Sequence, residues 1–95
     1  MYRPLPYGLT LKKSSIEGYG IFATEDFEED TKIGLSHLVV DGDLIRTPLG
    51  GFINHSNTPN VIKEKVKDRY YLYTIKDIKK GEELTLTYTF YSMEE

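Results

Sequence analysis

Leu84-Thr85-Leu86-Thr87-Tyr88-Thr89-Phe90-Tyr91 alternates large apolar or aromatic side chains with threonine over most of its length. A strand sends successive side chains to opposite faces, so Leu84, Leu86, Tyr88 and Phe90 are expected to share one face of a sheet. Working outward, Lys79-Lys80-Gly81 reads as the turn feeding this strand, and residues 61–66 and 69–75 flank Lys67-Asp68 as a hairpin. Asp41-Gly42-Asp43 is a stronger hairpin signal, because Asp-Gly tolerates the positive φ values of a tight primed turn. It joins the β-branched stretch 32–40 to Leu44-Ile45-Arg46. Leu9-Thr10-Leu11-Lys12 and Ile21-Phe22-Ala23 complete the strands, while Pro48-Leu49-Gly50-Gly51 reads as a break and residues 1–8, with Pro4, Pro6 and Gly8, as an extended lead-in. No long window carries a 3.6-residue apolar period, so the class is all-β, built from many short strands.

The chain has 95 residues, and a full core usually takes roughly 100–150, so residues 1–95 are expected to form one domain. Hydrophobic residues at 39% and aromatics at 13% exclude a disordered tail. With no cysteine to staple so small a core, self-association as a homodimer is expected. The net charge of −3 argues against nucleic-acid binding through phosphate neutralisation. No apolar run reaches the ~20 residues of a membrane span, and Met1-Tyr2-Arg3-Pro4-Leu5-Pro6-Tyr7-Gly8 lacks the apolar region of a secretory signal. An intracellular location follows as the expectation, in the cytoplasm or, for a viral protein, the host nucleus.

Gly18-Tyr19-Gly20-Ile21-Phe22-Ala23 formally fits a dinucleotide-binding pattern, but that chemistry needs a helix opening at the second glycine, and residues 21–30 carry no helical stripe. Asn54-His55-Ser56 is a poor nucleophile pair, because neighbours in an extended segment point in opposite directions. His37 and His55 are the only histidines, so no metal site is expected. The lysines at 63, 65, 67, 76, 79 and 80 and the acids at 25, 26 and 28–30 read as solvated faces.

Taken in order, Gly18-x-Gly20-x-Phe22-Ala23, Phe52-x-Asn54-His55-Ser56-x-x-Pro59-Asn60 and Gly81-Glu82-Glu83-Leu84-Thr85-x-x-Tyr88 make a succession that resembles the SET-domain lysine methyltransferases. The resemblance runs over residues 9–91 and is nearest to the minimal SET proteins of large viruses. It implies a β-clip fold of several small curved sheets with a C-terminal pseudoknot, and S-adenosylmethionine as methyl donor. It further implies that Gly18, Tyr19 and Gly20 approach the cofactor, that Asn54 and His55 hold its amino and adenine groups, and that Phe90 and Tyr91 help wall it in. Tyr88 would stand at the methyl-transfer point, acting on a lysine of a histone or another basic protein.

The residue types suit that chemistry. Glycines without Cβ let main chain reach a ligand, and a sulfonium cation is favoured near aromatic faces. An apolar channel beside that cation disfavours the charged form of an incoming lysine, whose pKa is ordinarily ~10.4. Some positions depart from the family's pattern. Ungapped alignment puts Ser36 where the family has a channel tyrosine, whereas anchoring on Gly42-Asp43 puts Val40 there; Asn57 and Thr89 replace the usual cysteine and glycine, and the insert before Asn54 is short. These departures carry the alternative, a non-catalytic SET-like module that binds cofactor or peptide without turnover.

Overall fold

The computed structural model describes residues 4–87, of which strand makes up 51%. Tyr88, Phe90 and Tyr91, and with them the far half of the alternating segment and the expected pseudoknot tail, lie outside the described residues. The strands are β1 (Leu9–Lys13), β2 (Tyr19–Ala23), β3 (Lys32–Val40), β4 (Asp43–Arg46), β5 (Asn54–His55), β6 (Val61–Val66), β7 (Arg69–Thr74) and β8 (Glu83–Leu86), with α1 (Pro48–Phe52) between β4 and β5. They form two four-stranded sheets, ordered β1-β2-β8-β5 and β4-β3-β7-β6.

The two anticipated hairpins are present. Asp41 at φ 53° and Gly42 at φ 84° both take the left-handed conformation that a primed two-residue turn requires. Val40 therefore pairs with Asp43, and Leu38 with Ile45, in register. Lys67, also at positive φ, turns β6 into β7 with Val66 opposite Arg69. In the other sheet β1 and β2 are antiparallel, Leu9 opposite Ala23, and β8 lies between β2 (antiparallel, Ile21 opposite Leu84) and β5 (parallel, Asn54 opposite Thr85).

That central position alters the reading of the alternating segment. Leu84 and Leu86 are buried as expected, but so is Thr85, at 8% exposure, because β8 is flanked by strands on both sides. The strand also stops at Leu86.

The break expected at Pro48-Leu49-Gly50-Gly51 is instead a single helical turn. Pro48 suits a first helical position because its missing N–H has no helical partner there. Thr47 caps the turn, accepting from the Gly50 N–H at 3.3 Å and donating from its hydroxyl to the Leu35 carbonyl at 2.6 Å. Two glycines made the segment look unfit for a helix, but one of them is required by packing. A Cβ on Gly50 would run into the Ser36 carbonyl oxygen and come within 2.9 Å of His37 Cε1. The helix thus seats directly on β3 and aims the chain at β5.

Both sheets share one core of Leu9, Ile21, Ala23, Ile33, Leu49, Ile53, Val61, Leu72, Ile78, Leu84 and Leu86. Burying each of the larger of these side chains stabilises the fold by about 1.5–3 kcal/mol. The lead-in packs against this body rather than trailing from it: Leu5 lies on the core, and Pro6 fills the space a side chain at Gly34 would take. No helix among the described residues is long and apolar enough to cross a membrane.

Candidate functional site

The three motifs meet at one carboxylate. Glu83 opens β8 opposite Phe22, in step with Thr85 and out of step with Leu84, so its side chain lies on the face of the sheet that also carries Gly20 and Asn54. Its Oε2 accepts from Asn54 Nδ2 at 2.8 Å, and its two oxygens accept from the Ser14 hydroxyl at 2.8 and 3.0 Å. Gly20 is buried beneath it, and a Cβ there would collide with Glu83 Oε2 and reach 3.0 Å from Asn54 Nδ2.

Ser14 ties this carboxylate to the glycine loop. Its hydroxyl accepts the Ile16 N–H at 2.9 Å, a serine-turn geometry, while its own N–H donates to the Gly18 carbonyl at 2.7 Å. Gly18 takes φ +48°, and nothing lies within 4 Å of where its Cβ would stand. Tyr19 projects outward, 59% exposed.

Asn60 holds the other side of Glu83. Its amide donates to the Glu83 carbonyl at 2.9 Å and accepts the Thr85 N–H at 2.8 Å, beside the backbone bond from its own N–H to the Thr85 carbonyl at 3.2 Å.

Of the residues singled out from sequence, Gly18, Gly20 and Asn54 are thus gathered around one point. His55 is not in that network. It lies on the opposite face of the two-residue β5, exposed, with Nε2 hydrogen-bonded to Asn57 Oδ1 at 3.1 Å. Glu83 and Ser14 were missed as site residues. The phase of Glu83 relative to the leucines shows only that it leaves the core face, and its partners lie in strands remote in sequence.

The position at which the family's channel tyrosine was sought holds a different cluster. Ser36 is fully buried and donates to the Tyr70 carbonyl at 3.2 Å. With that hydrogen committed, His37 Nδ1–H is the donor to Ser36 Oγ, at 3.0 Å. The His37 ring meets Tyr70 edge to face with centroids 6.3 Å apart. Burial, and then the positive charges of Lys63 and Arg46, push the His37 pKa down to about 4. Burial also lowers the Lys63 pKa to about 8. Val40, the other candidate for the tyrosine position, stands 47% exposed at the end of the hairpin.

With this geometry in place, comparison with known proteins gives the family. The SET domain family model matches residues 36–89, more than half of the chain. The chain belongs to the SET domain family. No curated protein matches it. Among solved structures, it is similar to a candidate histone methyltransferase of Plasmodium falciparum, with a TM-score of 0.74 and 22% identity over 90% of this chain and 96% of that one. It is also similar to a humanized mutant of the Chaetomium thermophilum Polycomb Repressive Complex 2 bound to an inhibitor, with a TM-score of 0.73 and 27% identity over 88% of this chain. The same Chaetomium complex with trimethylated and lysine-to-methionine forms of histone H3 gives a TM-score of 0.76 at 24% identity over 95% of this chain. The chain spans 15% of the Polycomb chains in these two structures and nearly all of the Plasmodium one.

Proposed function

We propose that this chain is an S-adenosylmethionine-dependent protein-lysine N-methyltransferase of the minimal viral type, acting on histones or other basic proteins. The observation that carries the reading is the meeting of Gly20 and Asn54 on Glu83 in a chain of the SET family. The residues suit an amino-acid-bearing nucleoside. The Gly18 main chain is open to approach, Asn54 brings an amide to the same place, and the exposed Tyr19 ring offers a face to a cation.

When bound, the cofactor supplies a methyl group on a sulfonium sulfur. The work of the protein is then alignment and exclusion of water. Gly18 and Gly20 would offer main-chain groups, Asn54 would hold the amino-acid end, and His55 would serve the adenine. By the family resemblance, Tyr88 would orient the target amine through its hydroxyl, and Phe90 and Tyr91 would contribute to the outer wall. An apolar channel beside the cofactor's cation would favour the neutral form of an incoming lysine, its proton passing to solvent water, so no dedicated base would be needed.

Calorimetric titration with S-adenosylhomocysteine and methyl incorporation into lysine-rich peptides and lysate protein test the reading. Binding together with incorporation is the expected result; absence of binding overturns it. One observation favours a second reading, a module that binds without turnover. Ser36, at one of the two positions aligned with the channel tyrosine, is fully buried and spends its hydroxyl on the Tyr70 carbonyl. Binding without incorporation on any pool is the outcome that selects it.

A further inference from the structure

Asn54 Nδ2 lies 2.8 Å from Glu83 Oε2 and 3.1 Å from the Glu17 carbonyl oxygen. A carboxylate and a carbonyl only accept, so chemistry fixes which end of the amide faces them: the NH2 group, with both of its hydrogens committed. Oδ1 is the one polar atom of that side chain left to meet a ligand, and it is an acceptor only. We propose that Glu83 is the positioning residue that locks the Asn54 amide with its oxygen toward the ligand, so that the site selects ligands carrying a protonated amine. The proposal rests on the cofactor reading given above and adds how the site recognises the ammonium of the cofactor's amino-acid part.

The lock is built from several elements. Gly20 leaves the room that the Glu83 carboxylate occupies. The Ser14 hydroxyl steadies both carboxylate oxygens, and Asn60 holds the Glu83 backbone. Without the carboxylate only the Glu17 carbonyl opposes reversal; the two orientations of an amide are almost the same shape, and the wrong one would present N–H groups to an ammonium. Replacing Glu83 by glutamine supplies an N–H that can hydrogen-bond Asn54 Oδ1 and so permits that reversal at nearly constant volume.

The test compares two ligands on the full chain by calorimetry: S-adenosylhomocysteine, and its analogue in which hydrogen replaces the amino group. The wild type should prefer the amine-bearing ligand, and Glu83→Gln should shrink that preference by about 10-fold to 100-fold, the value of one hydrogen bond to a charged group. Affinity for the deamino analogue should stay nearly constant, which a merely structural loosening of the loop would not produce. Equal weakening of both ligands, or an unchanged preference, overturns the proposal. A wild type that binds neither ligand overturns the cofactor reading itself, a different failure. Should Glu83→Gln not fold, Ser14→Ala removes the hydroxyl from the carboxylate and from the Ile16 N–H; it should shift the preference in the same direction with affinity for the deamino analogue nearly constant, and an unchanged preference or equal weakening of both ligands there also overturns the proposal.

Discussion

At the scale of single residues, three side chains carry tests that packing alone would not pass. Tyr88 is in step with Leu84 and Leu86 in the alternating segment, so a role in packing predicts that Tyr88→Phe changes stability by about 1 kcal/mol or less and nothing else. If its hydroxyl orients the amine in the transition state, the same change lowers turnover while S-adenosylhomocysteine affinity holds. Parallel measurement of methyl incorporation and ligand binding separates the two roles. His37 is a question of pH. Its folded pKa, about 4, lies below the ordinary histidine value of 6.5, so between these pH values the unfolded chain takes up a proton that the folded chain refuses. Stability should be level above pH 6.5 on this account and fall as pH drops through that window. Lys63, lowered from 10.5 to about 8, has the same sign in another window, with stability rising between pH 8 and 10.5. Urea midpoints followed across pH should show both limbs, and His37→Gln should remove the acid one.

At the scale of elements, α1 makes two neighbouring glycines opposite in character. Gly50 presses on the Ser36 carbonyl, a backbone group that cannot swing aside, whereas nothing lies within 4 Å of a Cβ on Gly51. Gly50→Ala should cost about 1–3 kcal/mol through overpacking. Gly51→Ala should be neutral or stabilising by up to about 1 kcal/mol, since alanine is the better helix former. Denaturant midpoints of the two variants provide the check, and equal effects would mean that the seat of α1 on β3 is not tight. The helix illustrates why composition misled here. Two adjacent glycines disfavour a helix locally, but a capping threonine, a proline at the first position and close packing on His37 outweigh that preference.

At the scale of the whole molecule, the predicted homodimer can be checked by sedimentation. The chain has no cysteine and 95 residues, and Val40, Leu44 and Ile45 are 39–47% exposed on the β3–β4 hairpin. A mass of about twice the chain is the expected result for a small core completed by self-association, and a heat-stable monomer at micromolar concentration contradicts it.

The hairpin turns were legible in the sequence because their causes are local: Asp41-Gly42 carries its own conformational preference, wherever the rest of the chain goes. The ordered motifs were legible for a related reason, since Gly18, Gly20 and Asn54 are residue types whose chemistry is written in their side chains or in the lack of one. The alternation of Leu84, Thr85 and Leu86 marked a strand but not its place, and burial of Thr85 follows only from β8 lying between β2 and β5. Glu83 is the clearest case of what tertiary structure alone decided. A hydrogen bond depends on distance and direction in space, and this carboxylate and its two partners, Ser14 and Asn54, come from three separate stretches of chain that only the completed sheet brings within 3 Å.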